Sequence, residues 1–584
     1  MTEEDLTKQA VDSIHSLLTK EGVKKILYID DKFDEEQQKE FFIGQMKAVK
    51  NSQSYPDGIP LFETINWTSP QAVFEKQILD FWNIPENKKK GIHEICEYIG
   101  GDEGANVIPA LEIEDYLTDY IELLTPQEWQ ERMQDELQQL NSNETLLCLF
   151  DYELKGFTGN NGEKDGIELA KRIIESKDGS KVFCGIFSHK YQIEEEDEYR
   201  QQYSSTYDLD IETFCTISKK RFGEKPKLTA FAEGIKNVLS LKYIEDLKHR
   251  SIDILKQSFD KSIDEIKALS PKTFNQIVQK ASSNEGVWEA NSLFRLNSII
   301  QNYSNYKLFT DDNIRSPFET TMSRIRNLDF IDTGYKFPHK DQKAIDIHKK
   351  EVYYEKDIIN KLHFSVSNGD IFKIGEKEYI LLSQPCNLAI RGNGKRGYDY
   401  NRAFLLPLIK VTDDTKELNS IRYEKLRSVT PEYRTYADFP LFKTISLDII
   451  DLCVFNKDGK CFIDLNVEKI ENDLIHYPSL ERYIKIHQEF SKQGRAYIAF
   501  NDIKGQVKGE LKGKINMLNP FFKKPECIKD LKLGNHNLFN VKKKTFDFGI
   551  QRIKNYRSPY STDLLQKFMQ YMSRNGFDVD FTIE

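Results

Sequence analysis

Four apolar segments of the chain each end in side chains that could take part in phosphoryl transfer. The segments are KKILYI, TLLCLF, VFCGIF and ETFCTIS, and each has the pattern of a buried strand. In the same order, the residues that end them are Asp30 and Asp31, then Asp151, then Ser188, then Lys219 and Lys220. Ligands bind at the carboxyl ends of the strands in a parallel α/β sheet. If these strands are neighbours, the acids, the hydroxyl and an amine meet in one crevice.

The chemistry of such a crevice follows from its charges. Three carboxylates repel one another, and a hard cation such as Mg²⁺ relieves the repulsion through oxygen ligands. Mg²⁺ held by Asp30, Asp31 and Asp151 would also neutralise the oxygens of an incoming phosphoryl group. One carboxylate could then act as nucleophile and form an acyl phosphate. A lysine would supply a compact positive charge to one phosphoryl oxygen, and the Ser188 hydroxyl could hydrogen-bond another.

The segments between these strands have the apolar spacing of helices. Such spacing occurs over residues 5–21, and again in IELAKRIIES and LTAFAEGIKNVLSL, which follow Asp151 and Lys220 along the chain. Strands that alternate with helices predict an α/β fold with a parallel sheet covered on both faces. Residues 33–143 are polar and mostly helical in pattern.

Three regions of different character follow from these patterns. We expect residues 1–240 to form the α/β domain, and residues 241–355 to form a helical connector that ends in a linker. From residue 356, short β-like runs such as GDIFKI, KEYILLS and AFLLPLI predict a separate α+β domain rich in β-strands. The sequence assigns no function to this domain, residues 356–584.

Cys386 is the residue of the C-terminal domain that could do chemistry of its own. It follows a predicted strand in the loop SQPCNLAIRGNGKRG, and His363 could act as its base in a Cys–His pair. A buried or semi-buried structural cysteine is the commoner role for such a loop residue. An enzymatic site near Cys386 therefore stands as an alternative function.

Composition excludes some classes of protein. The chain has 584 residues, of which 39% are hydrophobic and 30% charged, so it can build several folded cores. A net charge of −10 argues against a general nucleic-acid binder. The eight cysteines form no Cys-x-x-Cys pair and no cysteine–histidine cluster with zinc-ligand spacing. There is neither a signal-peptide pattern at the N-terminus nor an apolar stretch of about 18 residues, so we expect a cytoplasmic protein without a membrane partner.

The ordered set of strand-end residues resembles the receiver domain of two-component response regulators. In addition, FDYELKG followed by DGIELAKRI is similar to that family's segment after its phospho-acceptor. The resemblance covers residues 1–240 and implies a flavodoxin-like, doubly wound fold. It also implies that Asp151 is the phospho-acceptor, and that Asp30, Asp31, Asp151 and the backbone carbonyl of Glu153 hold Mg²⁺.

The resemblance also assigns the remaining positions. It places Ser188 at the family's Ser/Thr switch position, and the segment KRF favours Lys220 over Lys219 as the family's lysine. Two departures stand out. The separation of Asp31 from Asp151 is far longer than the family's usual few tens of residues, and Arg221 replaces the usual proline. If the resemblance holds, the long separation implies a helical insertion at about residues 33–143, which could contain the second strand and helix of the fold.

The function that the resemblance implies is phosphorylation of Asp151 by a partner histidine kinase or kinase-like protein. Glu153, two residues beyond the acceptor, could orient the water that later releases the phosphate. A receiver-like front with an unassigned back half resembles components of two-component-like bacterial antiphage systems of the Detocs kind. That similarity implies a regulator of an effector protein or a phosphate buffer in antiviral defence. The alternative in another class is an interaction protein with a receiver fold that is not phosphorylated.

Overall fold

The computed structural model divides the chain into two compact units. Unit 1 comprises Met1–Ser258 and Asn305–His339, and unit 2 comprises Phe259–Ser304 and Lys340–Glu584. The segment 241–355, predicted as a connector, therefore contributes to both units. The residues that the structure describes are 2–573 without 54, 57, 100–112, 155–156, 160–161, 283–286, 337–340, 398–399, 413–417, 419, 421, 431, 473–474 and 512–538. Cys527 and part of the predicted insertion thus lie outside the described residues.

Unit 1 is built on a five-stranded parallel sheet with the strand order β2-β1-β3-β4-β5. The strands are β1 (Val23–Ile29), β2 (Ile121–Leu124), β3 (Thr145–Asp151), β4 (Val182–Ser188) and β5 (Phe214–Ser218). The helices that precede or separate them are α1 (Glu3–Lys20), α2 (Glu35–Ser52), α3 (Gln71–Trp82), α4 (Pro85–Ile99), α5 (Pro126–Gln138), α6 (Gly166–Ile174) and α7 (Glu196–Tyr207). The predicted α/β fold with a parallel sheet is confirmed.

The strands are apolar on both faces because helices cover both faces of the sheet. Tyr28 and Leu149 belong to a core that includes α1 and the start of α8 (Thr229–Ala268). Leu27 and Phe150, on the opposite face, belong to a core that includes α5, α6 and α7. Successive strand residues point to opposite faces, so continuous apolar runs are what a doubly covered sheet requires.

The insertion between β1 and β2 has a hydrophobic core of its own. Helices α2, α3 and α4 pack around the buried side chains of Phe42, Phe74, Trp82 and Ile92. Strand β2 and helix α5 also fall within residues 33–143, where a further strand and helix were expected. The described part of the long separation between Asp31 and Asp151 therefore contains this three-helix cluster, followed by strand β2 and helix α5.

Helices follow strand β5 up to the second sheet. After α8 they are α9 (Pro271–Asn275), a π-helical turn (Gln276–Lys280), α10 (Glu289–Phe309), α11 (Asp312–Asp329) and α12 (Gln342–Val352). Within the part of the chain that the structure describes, no helix combines the length and apolar character needed to cross a membrane.

Unit 2 contains an antiparallel sheet, as the β-rich pattern after residue 356 predicted. Its strand path is β10-β11-β9-β8-β7-β15-β13, with β12 paired to β9, and β6 and β14 paired to β15. The strands are β6 (Tyr353–Glu355), β7 (Asp370–Ile374), β8 (Lys377–Leu382), β9 (Arg402–Val411), β10 (Tyr423–Lys425), β11 (Arg434–Asp438), β12 (Lys443–Ser446), β13 (Lys460–Asp464), β14 (Phe539–Asn540) and β15 (Thr545–Tyr556). The helices that follow β6 in this unit are α13 (Lys356–Lys361), α14 (Pro385–Leu388), α15 (Leu447–Ile450), α16 (Tyr477–Gln506) and α17 (Tyr560–Met572).

Two hydrophobic cores, one with α16 and one with α17, hold the antiparallel sheet in place. A fully buried arginine, Arg552, is the largest polar side chain inside this unit. Its guanidinium donates to Asn360 Oδ1 at 2.9 Å and to Asp370 Oδ2 at 3.3 Å. A buried charge is tolerated when it is paired and hydrogen-bonded, so these contacts account for the position of Arg552.

Candidate functional site

The carboxyl edge of the parallel sheet gathers three buried aspartates. Ile29 of β1 pairs with Phe150 of β3, so Asp30 and Asp151 come next on adjacent strands. Ligand oxygens of Asp30, Asp31 and Asp151 all lie within 4.8 Å of one another. Their side chains belong to residues that are only 1%, 6% and 3% exposed. The structure thus brings together the three carboxylates that were predicted from the strand ends.

Lys219 completes the cluster. Its ammonium nitrogen lies 2.8 Å from Asp30 Oδ2 and 2.8 Å from Asp151 Oδ2, and the residue is 2% exposed. Lys220, which the sequence favoured, has an exposed side chain. The strand ends at Ser218, whose hydroxyl accepts a hydrogen bond from the Lys220 N–H at 3.2 Å and caps a short 3₁₀ turn. Lys219, the first residue of that turn, is therefore the lysine whose side chain contacts the carboxylates.

Burial and charge set the protonation of the cluster. Burial, with the nearby Asp30 carboxylate, raises the pKa of Asp151 to about 7. Burial also acts to raise the pKa of Asp30, but Lys219 and Lys32 outweigh it and leave that pKa below its ordinary value. The pKa of Lys219 is held well above its ordinary value because the surrounding acidic groups outweigh the effect of burial. The Lys219 ammonium therefore pairs with two carboxylates, and the charge of Asp151 is the less fully compensated of the two.

The turn after β1 positions the first two acids. Asp30 has extended backbone and caps a 3₁₀ turn (Asp31–Phe33), and its Oδ1 accepts a hydrogen bond from the Lys32 N–H at 3.1 Å. The other carboxylate oxygen, Oδ2, faces Lys219. This local hydrogen bond fixes the carboxylate that lies nearest to Asp151, as Asx-type turns do.

Ser188 and Glu153 occupy the rim of the same edge. Asp151 pairs with Phe187, so Ser188 follows at the end of the adjacent strand, where it is buried and accepts a hydrogen bond from the Lys190 N–H at 3.1 Å. Glu153 is exposed and forms an ion pair with Lys190 at 3.1 Å. The same ammonium lies 4.2 Å from the centre of the Tyr152 ring. Glu153 and Lys190, which follow Asp151 and Ser188 by two positions each, thus form an ion pair at the mouth of the site.

Two further residues at this edge were missed from the sequence. Tyr28 is buried, and its hydroxyl lies 3.5 Å from Asp30 Oδ2. The signal for Tyr28 was present, because residues two apart on a strand share a face. His189 follows Ser188, and burial together with the charges of Lys219 and Lys32 lowers its pKa to about 4. It is therefore a neutral imidazole at pH 7.

Arg221 ties the lysine turn to two helices. Its Nε and Nη2 each donate to a Glu196 carboxylate oxygen at 2.7 Å, and its Nη1 donates to the Ala230 carbonyl at 2.9 Å. Glu196 also accepts from the Ser218 N–H at 2.7 Å. Since Arg221 is only 2% exposed, this bidentate pair fixes the chain next to Lys219.

The structure does not bring His363 to Cys386. The imidazole of His363 is engaged by the Val454 carbonyl at 2.6 Å and by Asn472 Nδ2 at 3.3 Å. Cys386 is exposed, and its thiol contacts the side chains of Gln384 and Asn387. Among the described residues, the partners of the Cys386 thiol therefore include no imidazole that could act as its base.

The donor set at the sheet edge suits a hard divalent cation. It consists of the carboxylate oxygens of three aspartates, the kind of hard oxygen ligand that Mg²⁺ and Ca²⁺ prefer. Comparisons with protein-family models, with curated proteins and with solved structures give no match for this chain.

Proposed function

We propose that unit 1 is a receiver-like domain in which Asp151 accepts a phosphoryl group. The observation that carries the proposal is the convergence of three buried carboxylates and Lys219 on one sheet edge. The strand order β2-β1-β3-β4-β5 supports it, because this is the order of flavodoxin-like doubly wound sheets, which bind ligands at that edge.

In this proposal each residue has a defined role. Asp30, Asp31, Asp151 and the Glu153 carbonyl would hold Mg²⁺, which would neutralise phosphoryl oxygens. A carboxylate oxygen of Asp151 attacks phosphorus, the P–N bond to a histidine of the donor kinase breaks, and the imidazole nitrogen keeps the electron pair. Lys219 then exchanges its contact with Asp151 for one with a phosphoryl oxygen.

The other rim residues would act after transfer. The buried Ser188 hydroxyl lies where it could turn to donate to a second phosphoryl oxygen and so report phosphorylation to β4. Glu153 at the mouth would orient the water that hydrolyses the acyl phosphate. A chain with such a site and a large C-terminal unit would act as a regulator of an effector protein or as a phosphate buffer, including in a bacterial antiphage system.

The test uses the full-length chain with Mg²⁺ and beryllofluoride, an analogue of the phosphoryl group. Binding is followed by fluorine NMR, and modification by acetyl phosphate is followed by intact mass. We expect both signals from the wild-type protein and neither from Asp151→Asn. Asp12→Asn, at an exposed aspartate of α1 in the same unit, is the matched control and should behave as wild type. The proposal fails if the wild-type protein gives no Asp151-dependent signal.

One observation favours a second function, that of an interaction protein that is never phosphorylated. Lys219 already lies 2.8 Å from both Asp30 and Asp151, so part of the negative charge of the cluster is neutralised without a cation. If this function is the right one, capture of a kinase or effector partner from lysate will be unchanged by Asp151→Asn and by removal of Mg²⁺.

A further inference from the structure

Unit 2 contains a cavity of about 610 Å³ at the place where strand β15 ends and helix α17 begins. The lining residues that carry the argument come from β10 and the turn after it, and from α17. They are Lys425, Arg427, Ser428, Tyr560, Asp563 and Lys567. The volume lies within the range of small-molecule sites, about 300–1,000 Å³.

Two cations of this cavity form no close ion pair among the described residues, although Arg427 lies near enough to the Glu351 carboxylate to contribute, after Tyr560 and His348, to the lowering of its pKa. Among the residues that the structure describes, no carboxylate lies within 4.0 Å of the Lys425 or Arg427 head groups, and both side chains are exposed. Lys567 differs, since it is paired with Glu424 and with Asp563, each at 2.9 Å. Lys425 and Arg427 therefore present positive charge to a ligand on one side of the cavity.

The guanidinium of Arg427 lies over an aromatic ring of the cavity. It lies 5.5 Å from the centre of the Tyr560 ring, and its own backbone N–H donates to the Tyr556 hydroxyl at 3.1 Å. The Tyr560 hydroxyl donates in turn to Glu351, which fixes the ring. Stacking on a ring occupies the face of a guanidinium and leaves its N–H edge for an acceptor.

The start of helix α17 adds to the positive potential. The helix begins at Tyr560, and the preceding Pro559, which also lines the cavity, provides no side-chain cap. A helix N-terminus favours anions through its dipole, which is the contribution here because the N–H groups of Ser561, Thr562 and Asp563 already donate to backbone carbonyls. The cavity thus combines an arginine fork, an ammonium and a helix N-terminus.

We propose that this cavity binds a small phosphate-bearing molecule of about nucleotide size. A phosphate has enough oxygens to accept from the Arg427 fork and from Lys425 at the same time, and charge-assisted hydrogen bonds of this kind are the strong ones. The proposal does not depend on phosphorylation of Asp151, because every residue in it belongs to unit 2.

The experiment is isothermal titration calorimetry of the full chain with ATP, inorganic pyrophosphate and adenosine. EDTA is present so that no cation can attract phosphate to the three aspartates. We expect ATP and pyrophosphate to bind with one site per chain, and adenosine not to compete. Arg427→Ala and Lys425→Ala should each weaken binding at least about tenfold, the usual value of a charge-assisted contact. Arg402→Ala, at an exposed arginine of β9 outside the cavity lining, is the control and should leave affinity unchanged.

The relative affinities of ATP and pyrophosphate show which part of the ligand is recognised. Tighter binding of ATP than of pyrophosphate shows that the nucleoside contributes, and equal binding shows that the phosphates alone are recognised. The proposal is overturned if neither compound saturates the protein below about 1 mM, or if Arg427→Ala leaves the affinity intact. Arg427→Lys keeps the charge without the fork, so an intermediate affinity in that variant would exclude misfolding as the cause.

Discussion

Replacement of Lys219 by methionine removes the ammonium that neutralises two buried carboxylates. Lys219 is 2.8 Å from both Asp30 and Asp151, and the three side chains are between 1% and 4% exposed. Removal of one partner from such a buried set costs about 3–5 kcal/mol, because a charge is left without compensation. Since the raised pKa of Asp151 lets it take up a proton, we expect the lower end, about 3 kcal/mol, at pH 7.

The assay is urea unfolding followed by tryptophan fluorescence in a Trp288→Phe background. The chain has four tryptophans, and the other three, Trp67, Trp82 and Trp129, all belong to unit 1. Their fluorescence therefore reports the free energy of unfolding of the unit that contains Lys219. The midpoint should move without a change in the slope of the free energy against urea, as it does when only stability changes.

Lys220→Met is the matched control, because Lys220 is the exposed neighbour of Lys219. It should change the free energy of unfolding by less than about 0.5 kcal/mol, as is usual for surface substitutions. The combination of Lys219→Met with Asp151→Asn should recover part of the loss, because it removes a negative charge as well as the positive one. Equal effects of Lys219→Met and Lys220→Met, or a loss below about 1 kcal/mol in Lys219→Met, would refute the reasoning.

Three further predictions concern the same unit. Because the pKa of Asp151 is about 7, a proton on this carboxylate competes with Mg²⁺ below that pH. The apparent affinity for Mg²⁺, measured by calorimetry, should therefore increase by up to about tenfold for each unit that the pH is raised toward 7, and should change little above pH 7. Glu153→Ala should slow phosphate release from the acyl phosphate, measured by loss of the modified mass, with little effect on its formation. Arg221→Ala should lower the free energy of unfolding by about 3 kcal/mol, because it leaves the carboxylate of Glu196 buried without its partner.

Each of these has an outcome that would count against it. An affinity for Mg²⁺ that is flat between pH 5 and pH 7 would mean that Asp151 carries no proton there. An unchanged rate of phosphate release in Glu153→Ala would remove that side chain from the hydrolysis step. A free energy of unfolding in Arg221→Ala that equals the wild-type value would show that the pair with Glu196 does not stabilise the unit.

The sequence predicted the strand ends of unit 1 well because their signal is local. A strand buried on both faces is continuously apolar, so the acids that end it stand out along the chain. The choice between Lys219 and Lys220 was harder, since it depends on whether the 3₁₀ turn begins at the first or the second lysine of KKRF. Apolar periodicity does not show whether the turn begins at Lys219 or one residue later.

Long-range pairings could not be predicted for a different reason. The Arg396 guanidinium forms a buried bidentate pair with Asp451, with nitrogen-to-oxygen distances of 2.6 and 2.7 Å, although the residues are 55 positions apart. Strand β15 pairs with β7 and β13, which lie far from it along the chain. Any basic and acidic residues at such separations could have been partners, so only the folded chain selects these.

The three-helix insertion starts at the sheet edge that holds the three carboxylates. The turn Asp31–Phe33 contains one of the three carboxylates and leads within two residues into α2, the first helix of the insertion core. A molecule that bound the insertion and shifted this turn would change the affinity of the site for its cation. By reciprocity, the cation would change the affinity for that molecule by the same factor. Binding of a molecule to the insertion would thus change the cation affinity of the sheet edge without contact with any strand.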